Sequence, residues 1–217
     1  MLETQLYTTS ADYVYRELRH RIITKKIKAG QRLPEVNIAV QMGVSRTPVR
    51  EALRRLESEG LVDIVPNSGA RLASPSRREM ESAYVVREQL ECLAARLAAQ
   101  AMSEKHFRRL EEIIGAEEEA FRDRNLELYL EINEAFHRTV AEATGNRILA
   151  SYVENILART NVYIVFYDPF YEDEANPSMA EHKDLLRALR DRDGVRAELL
   201  MRDHLRTTMT GMAQPDH

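Results

Sequence analysis

Three histidines stand where a helical period calls for apolar side chains. His137 shares a stripe with Leu126, Tyr129, Leu130, Phe136 and Val140, and Asn133 lies in the same stripe. His182 falls with Met179, Leu185, Leu186 and Leu189, and His204 with Ala197, Met201, Leu205 and Thr208. Arg87 sits at the edge of a fourth stripe made of Ala83, Val86, Leu90, Leu93, Ala94 and Leu97. Burying so many polar groups is costly unless they satisfy one another or a ligand. Asn133 and His137 are four residues apart, so both reach one point from one helix face. With His182 and His204 they make a three-histidine, one-oxygen set for a divalent ion such as zinc, nickel or manganese. Such a set leaves positions open for water or a ligand carboxylate. The alternative is a hydrogen-bonded polar network in the core.

A second group suits a different chemistry. Arg46, Arg50 and Arg54 step by four along one side of a short helical pattern, with Thr47 beside the first. Val49, Ala52, Leu53 and Leu56 form an apolar stripe on the other side. A helix anchored by one face and carrying arginines on the other fits a DNA major groove, where the guanidinium fork clamps guanine edges or phosphates. Ser45 is placed to cap this helix with its hydroxyl and Pro48 lies in the first turn. Gly60 marks the end.

The surrounding elements are those that would position such a helix. Residues 12–25 carry Val14, Tyr15, Leu18, Ile22 and Ile23 at helical spacing. Glu35–Met42 is a short helical segment with Val36, Ile38, Ala39, Val40 and Met42, and Gly43-Val44 makes the turn into Ser45. Residues 61–65 and 70–73 read as strands joined by a Pro66-Asn67-Ser68-Gly69 turn. Three helices and a hairpin predict a winged helix-turn-helix whose wing offers Asn67, Ser68, Gly69 and Arg71 to DNA. Ser74-Pro75-Ser76 then breaks the pattern. Six helices are expected near 76–102, 103–122, 125–143, 146–168, 177–191 and 193–213, with 168–176 as the longest loop. The chain is therefore read as mainly α: a winged domain over 1–75 and an all-α six-helix bundle over 76–217.

Charge follows the same division. The 217 residues carry a net charge of −4, yet residues 1–76 hold 12 Lys+Arg against 8 Asp+Glu, leaving +4 there and −8 in the remainder. A basic module on an acidic body suits a DNA-binder with a separate regulatory domain. No apolar run is long enough to span a membrane, and the N-terminus lacks a signal-peptide pattern. The single cysteine, Cys92, cannot form an internal disulfide and is given a packing role. A cytoplasmic protein is expected.

The string Val44-Ser45-Arg46-Thr47-Pro48-Val49-Arg50-Glu51-Ala52-Leu53, with Leu56-Glu57 and Glu59-Gly60-Leu61-Val62, resembles the GntR family of bacterial transcriptional regulators over residues 10–73. The resemblance implies DNA contacts from Ser45, Arg46, Thr47 and Arg50, with the wing following Gly69. Some members carry a DNA-contacting arginine on the second helix, where this chain has Val36. The body resembles the FCD ligand-binding domain of one branch, in its vanillate-regulator-type form, through Arg87-Glu88-Gln89-Leu90-Glu91 and the three histidines. That resemblance implies metal binding by His137, His182 and His204, with Asn133 where an aspartate is usual. It also implies that Arg87 engages the carboxylate of a small organic acid, the alternative being a buried salt bridge to a nearby glutamate.

These features together predict a ligand-responsive DNA-binding regulator, a homodimer on a short palindrome of double-stranded operator DNA. In this reading it is a repressor released by a small carboxylate bound beside a divalent metal, with two recognition helices about one DNA turn apart. Two other readings are weighed with it. A metal-dependent hydrolase would need a general base poised at the metal, and no His-Glu-x-x-His pairing is present. An effector-free DNA-binding dimer would need the polar cluster to be a closed hydrogen-bonded network.

Overall fold

The computed structural model describes residues 9–66, 68–171 and 176–212. The chain divides into two compact units, Met1–Pro75 and Ser76–His217.

In the first unit α1 (Ser10–Ile23) is capped by the Thr9 hydroxyl, which accepts from the Asp12 N–H. It buries Val14, Leu18, Ile22 and Ile23. Helix α2 (Glu35–Met42) ends at Gly43, whose φ of 65° lies in the left-handed region that favours glycine. Only Ile38 and Ala39 of α2 are buried, while Val36 and Val40 are exposed. Helix α3 (Arg46–Ser58) buries Val49, Ala52, Leu53 and Leu56, the stripe its spacing predicts. The Ser45 hydroxyl does not cap α3, contrary to expectation: Ser45 occupies the N-cap position without a side-chain bond.

Strands β1 (Val62–Val65) and β2 (Gly69–Leu72) pair antiparallel, from Val62 opposite Leu72 to Val65 opposite Gly69. The wing has a third contributor that the sequence pattern does not show. Gly30 and Leu33 donate to the Leu72 and Ala70 carbonyls, and Leu72 donates to Gln31. This places Arg32 opposite Arg71. Both sides of β2 are thereby paired, which fixes the root of the wing.

The second unit is all helical: α4 (Arg77–Ala101), α5 (Glu104–Arg122), α6 (Leu126–Ala143), α7 (Arg147–Tyr167), α8 (Pro177–Arg190) and α9 (Gly194–Gly211). Ser76 and Glu79 form a capping box at the start of α4. Asn125, Asn146 and Asp193 accept first-turn N–H groups of α6, α7 and α9. The core joins Phe107, Leu110, Ile113 and Ile114 of α5 with Phe136 and Val140 of α6, and with Leu185, Leu189, Met201 and Leu205 of α8 and α9.

The stripe expected on α4 holds only in part: Ala83 and Ala94 are buried and Leu90 and Leu93 pack against the core. Val86 and Leu97 are exposed, and the inward face is Met80, Ala83, Tyr84, Arg87, Glu91, Cys92, Ala94, Ala95, Ala98 and Ala99. Arg87 therefore lies within the buried face rather than at its edge. The alanines let α9 come close: a Cβ on Gly194 would stand 2.8 Å from the Arg96 carbonyl oxygen. Among the described residues no helix is long and apolar enough to cross a membrane.

Candidate functional site

In the bundle α6, α8 and α9 carry His137, His182 and His204 to one place. All three are buried, and one ring nitrogen of each lies within 4.8 Å of the others. Their ring centroids are 4.6 Å apart for His182 and His204, 5.2 Å for His137 and His204, and 5.4 Å for His137 and His182. The Phe136 ring stacks on His182 at 3.9 Å and closes one side with apolar surface. Asn133 is buried one helical turn before His137.

Three carboxylates stand behind the imidazoles. Nδ1 of His182 lies 2.8 Å from Glu117 Oε2, and Nδ1 of His204 lies 2.8 Å from Glu181 Oε2. Nδ1 of His137 contacts Glu91 Oε2. A carboxylate on Nδ1 fixes the proton there and leaves Nε2 as the bare lone pair. The Nε2 atoms of His137 and His182 are buried and find no hydrogen-bond partner among the described residues, as is the case for Oε1 of Glu117. Burial pushes the His137 imidazole down to about 3, outweighing Glu91, so the ring is neutral at neutral pH. Burial also lowers His204, against the opposing pull of Glu181. Buried imidazoles, each with Nδ1 held against a carboxylate, form a donor set that fits a divalent cation.

Arg87 is joined to this cluster rather than standing apart from it. Its Nε donates to Glu91 Oε1 at 2.5 Å, and its Nη1 donates to Thr160 Oγ1 at 3.2 Å and to the Tyr84 hydroxyl at 3.4 Å. The buried salt bridge weighed as the alternative for Arg87 is thus present. Burial alone would raise the Glu91 carboxyl, but His137 and Arg87 outweigh it and hold it well below the usual carboxylate range.

The sequence pattern missed the three glutamates. Glu117 had a legible signal, because it follows Phe107, Leu110, Ile113 and Ile114 in the buried stripe of α5. Glu91, four residues after Arg87, could have been found as its i,i+4 partner. Glu181 is partly exposed and gives no such signal.

In the first unit Ser45, Arg46, Thr47, Arg50 and Arg54 are all exposed on α3, opposite its buried stripe. Arg55 belongs to the fold: it pairs with Asp12 at 2.8 Å and lies over the Tyr15 ring at 3.9 Å. Arg46 and Arg50 both pair with Glu35 of α2. In the wing Ser68 and Gly69 are exposed and Arg71 is partly buried, while Asn67 lies outside the described residues.

Residues 10–72 match the profile of the gntR family of bacterial regulatory proteins, and residues 82–207 match the FCD domain. The HTH-type transcriptional repressor RspR of Escherichia coli (strain K12) is 30% identical over 218 residues, covering 98% of this chain and 94% of that protein. Among solved structures, E. coli McbR/YncC superposes with a TM-score of 0.68 at 23% identity, covering 94% of this chain and 97% of the other. A GntR regulator from Rhodococcus sp. RHA1 superposes with a TM-score of 0.72 at 21% identity and the same coverage. At these identities the two structures speak for the fold. The exposed arginine helix, the paired wing and the all-helical body thus agree with both profiles, and the chain belongs to the gntR family of bacterial DNA-binding transcriptional regulators, in the branch that carries an FCD domain.

Proposed function

We propose that this regulator is a repressor whose operator affinity is set by a divalent metal and a small carboxylate held together in the FCD domain. The observation that carries the metal is the convergence of three buried imidazoles whose Nδ1 atoms face carboxylates, two of whose Nε2 atoms lack any partner among the described residues. His137, His182 and His204 would be the nitrogen ligands, with Asn133 supplying a neutral carbonyl oxygen. The cation would act as a Lewis acid for an effector carboxylate. Because Arg87 is held by Glu91, Thr160 and Tyr84, its influence on an effector runs through Glu91 and His137. An effector changes operator affinity only by binding two conformations unequally.

Elemental analysis of protein purified without chelator or histidine tag tests the metal. Near-stoichiometric zinc, nickel or manganese is expected in the wild type, with loss in His204→Ala. Wild-type protein that stays empty after exposure to all three would sink the proposal. No hydrolytic role is assigned: Glu134, one residue from Asn133, pairs instead with Asn161 at 2.8 Å.

The regulator is further proposed to act as a homodimer through the α4–α7 face of the FCD domain. On these two helices Val86 is 49%, Leu97 40%, Ile148 71% and Tyr152 60% exposed. Large apolar side chains left exposed outside a well-filled core favour association. Sedimentation should give about twice the chain's 25.0 kDa, and Val86→Arg with Leu97→Arg should return the mass to that of one chain. A wild-type monomer at micromolar concentration would contradict the assignment.

A further inference from the structure

Glu35 is the first residue of α2, where a negative charge is favoured by the helix dipole. Its carboxylate reaches across to two arginines one turn apart on α3. Oε2 accepts from Arg46 Nε at 3.3 Å and Nη2 at 3.0 Å. Arg50 Nε donates to Oε1 at 3.0 Å and Oε2 at 2.8 Å. Burial would raise the Glu35 carboxyl, yet Arg46 and Arg50 hold it below the usual carboxylate range. The pairing engages Nε of both arginines and leaves the terminal nitrogens of Arg50, and Nη1 of Arg46, for other partners.

We infer that Glu35 is a specificity-determining residue of the DNA interface, clipping Arg46 and Arg50 together so that base edges are favoured over phosphates. The inference rests on the reading of these two arginines as DNA contacts. A guanidinium that turns freely can grip any phosphate, which adds affinity without sequence information. Here a phosphate that draws Nε away from Glu35 leaves an unpaired carboxylate facing the DNA backbone. A guanine takes the two terminal nitrogens of Arg50 through O6 and N7 and leaves the Nε pairing intact. The carboxylate also reduces the formal charge of the trio to that of one arginine. Non-specific binding is therefore penalised and base reading is spared.

The clip is distinct from a stability device. Both arginine side chains are more than half exposed, at 56% and 55%, and exposed ion pairs contribute little to folding. Replacing Glu35 by glutamine keeps the size and removes the charge, so the fold should survive, which a thermal melt of the full chain checks.

The test compares wild type, Glu35→Gln and Arg50→Ala as full chains. Two duplexes serve as probes: one of random sequence, and the sequence that wild type enriches from a random pool. Glu35→Gln should bind the random duplex about tenfold tighter, with a log–log salt slope steeper by about one. The ratio of selected to random affinity should fall by about tenfold. An unchanged ratio and slope in Glu35→Gln, while Arg50→Ala loses the selected duplex, would overturn the inference; so would an equal loss on both duplexes. Retention of the selected duplex by Arg50→Ala would instead refute the reading of the arginines as contacts.

Discussion

Adding zinc to metal-stripped protein is expected to raise the melting temperature by about 5–10 °C. The figure follows from linkage: a hundredfold excess of free metal over its Kd stabilises by about 2.7 kcal/mol, and each kcal/mol moves a chain of this size by about 2–4 °C. The physical source is the charge behind the histidines. Glu91 and Glu117 are almost fully buried, Glu181 is partly so, and among the described residues Arg87 is the guanidinium paired into the cluster. Counted formally over the described residues, that leaves two negative charges without a counterion, which is what a divalent cation would supply. On the proposed metal reading, the neutral Asn133 would be offset by the carboxylates hydrogen-bonded to the histidine Nδ1 atoms. Glu117→Gln should weaken metal affinity by about 10–100-fold in a protein that still folds, and His182→Ala should abolish the zinc-dependent shift. If zinc, nickel and manganese all leave the wild-type melt where the stripped protein has it, the cluster is a hydrogen-bonded core and no cation belongs there.

The histidines of this cluster are legible because they interrupt apolar stripes. His137, His182 and His204 each break a run of large hydrophobic residues, so a helical period of about 3.6 is enough to turn all three inward. Their carboxylates are harder to see, since the pairings join residues 46, 65 and 23 positions apart in the chain. Only Glu117 shares the same interrupting pattern. The stripe expected on α4 fails at two positions for a related reason. Its large aliphatic residues Val86 and Leu97 face outward, while small alanines face the core where α9 packs closely. A reading weighted by side-chain size takes Val86 and Leu97 as core, whereas the alanines, with Met80 and Tyr84, hold the inward face. The third contributor to the wing leaves no trace because a single bridge between Arg32 and Arg71 has no periodicity to detect. By contrast, α3 is legible almost residue by residue, because a short helix with a strict apolar face and three spaced arginines admits few other readings.

Arg50→Ala is expected to remove specific DNA binding while leaving the fold intact. The side chain is exposed on α3 and belongs to no buried contact, so truncation opens no cavity. Loss of a bidentate base contact costs about 1–3 kcal/mol at one half-site. In a homodimer the loss counts twice, so operator affinity should fall by roughly two orders of magnitude or more. Two neighbours on the same helix separate this effect from its imitations. Arg54→Ala removes an exposed charge with no pairing to Glu35, and should weaken selected and random duplexes alike, with a shallower salt slope. Arg55→Ala breaks the pairing with Asp12 and the stacking over Tyr15, and should lower the melting temperature while sparing the ratio of the two affinities. Binding isotherms on both duplexes, with a thermal melt of each variant, therefore distinguish a base contact, a phosphate contact and a structural residue on one helix. If Arg50→Ala keeps the affinity of wild type for the selected duplex, α3 does not enter the groove with this face, and the docking inferred from its exposed arginines is wrong.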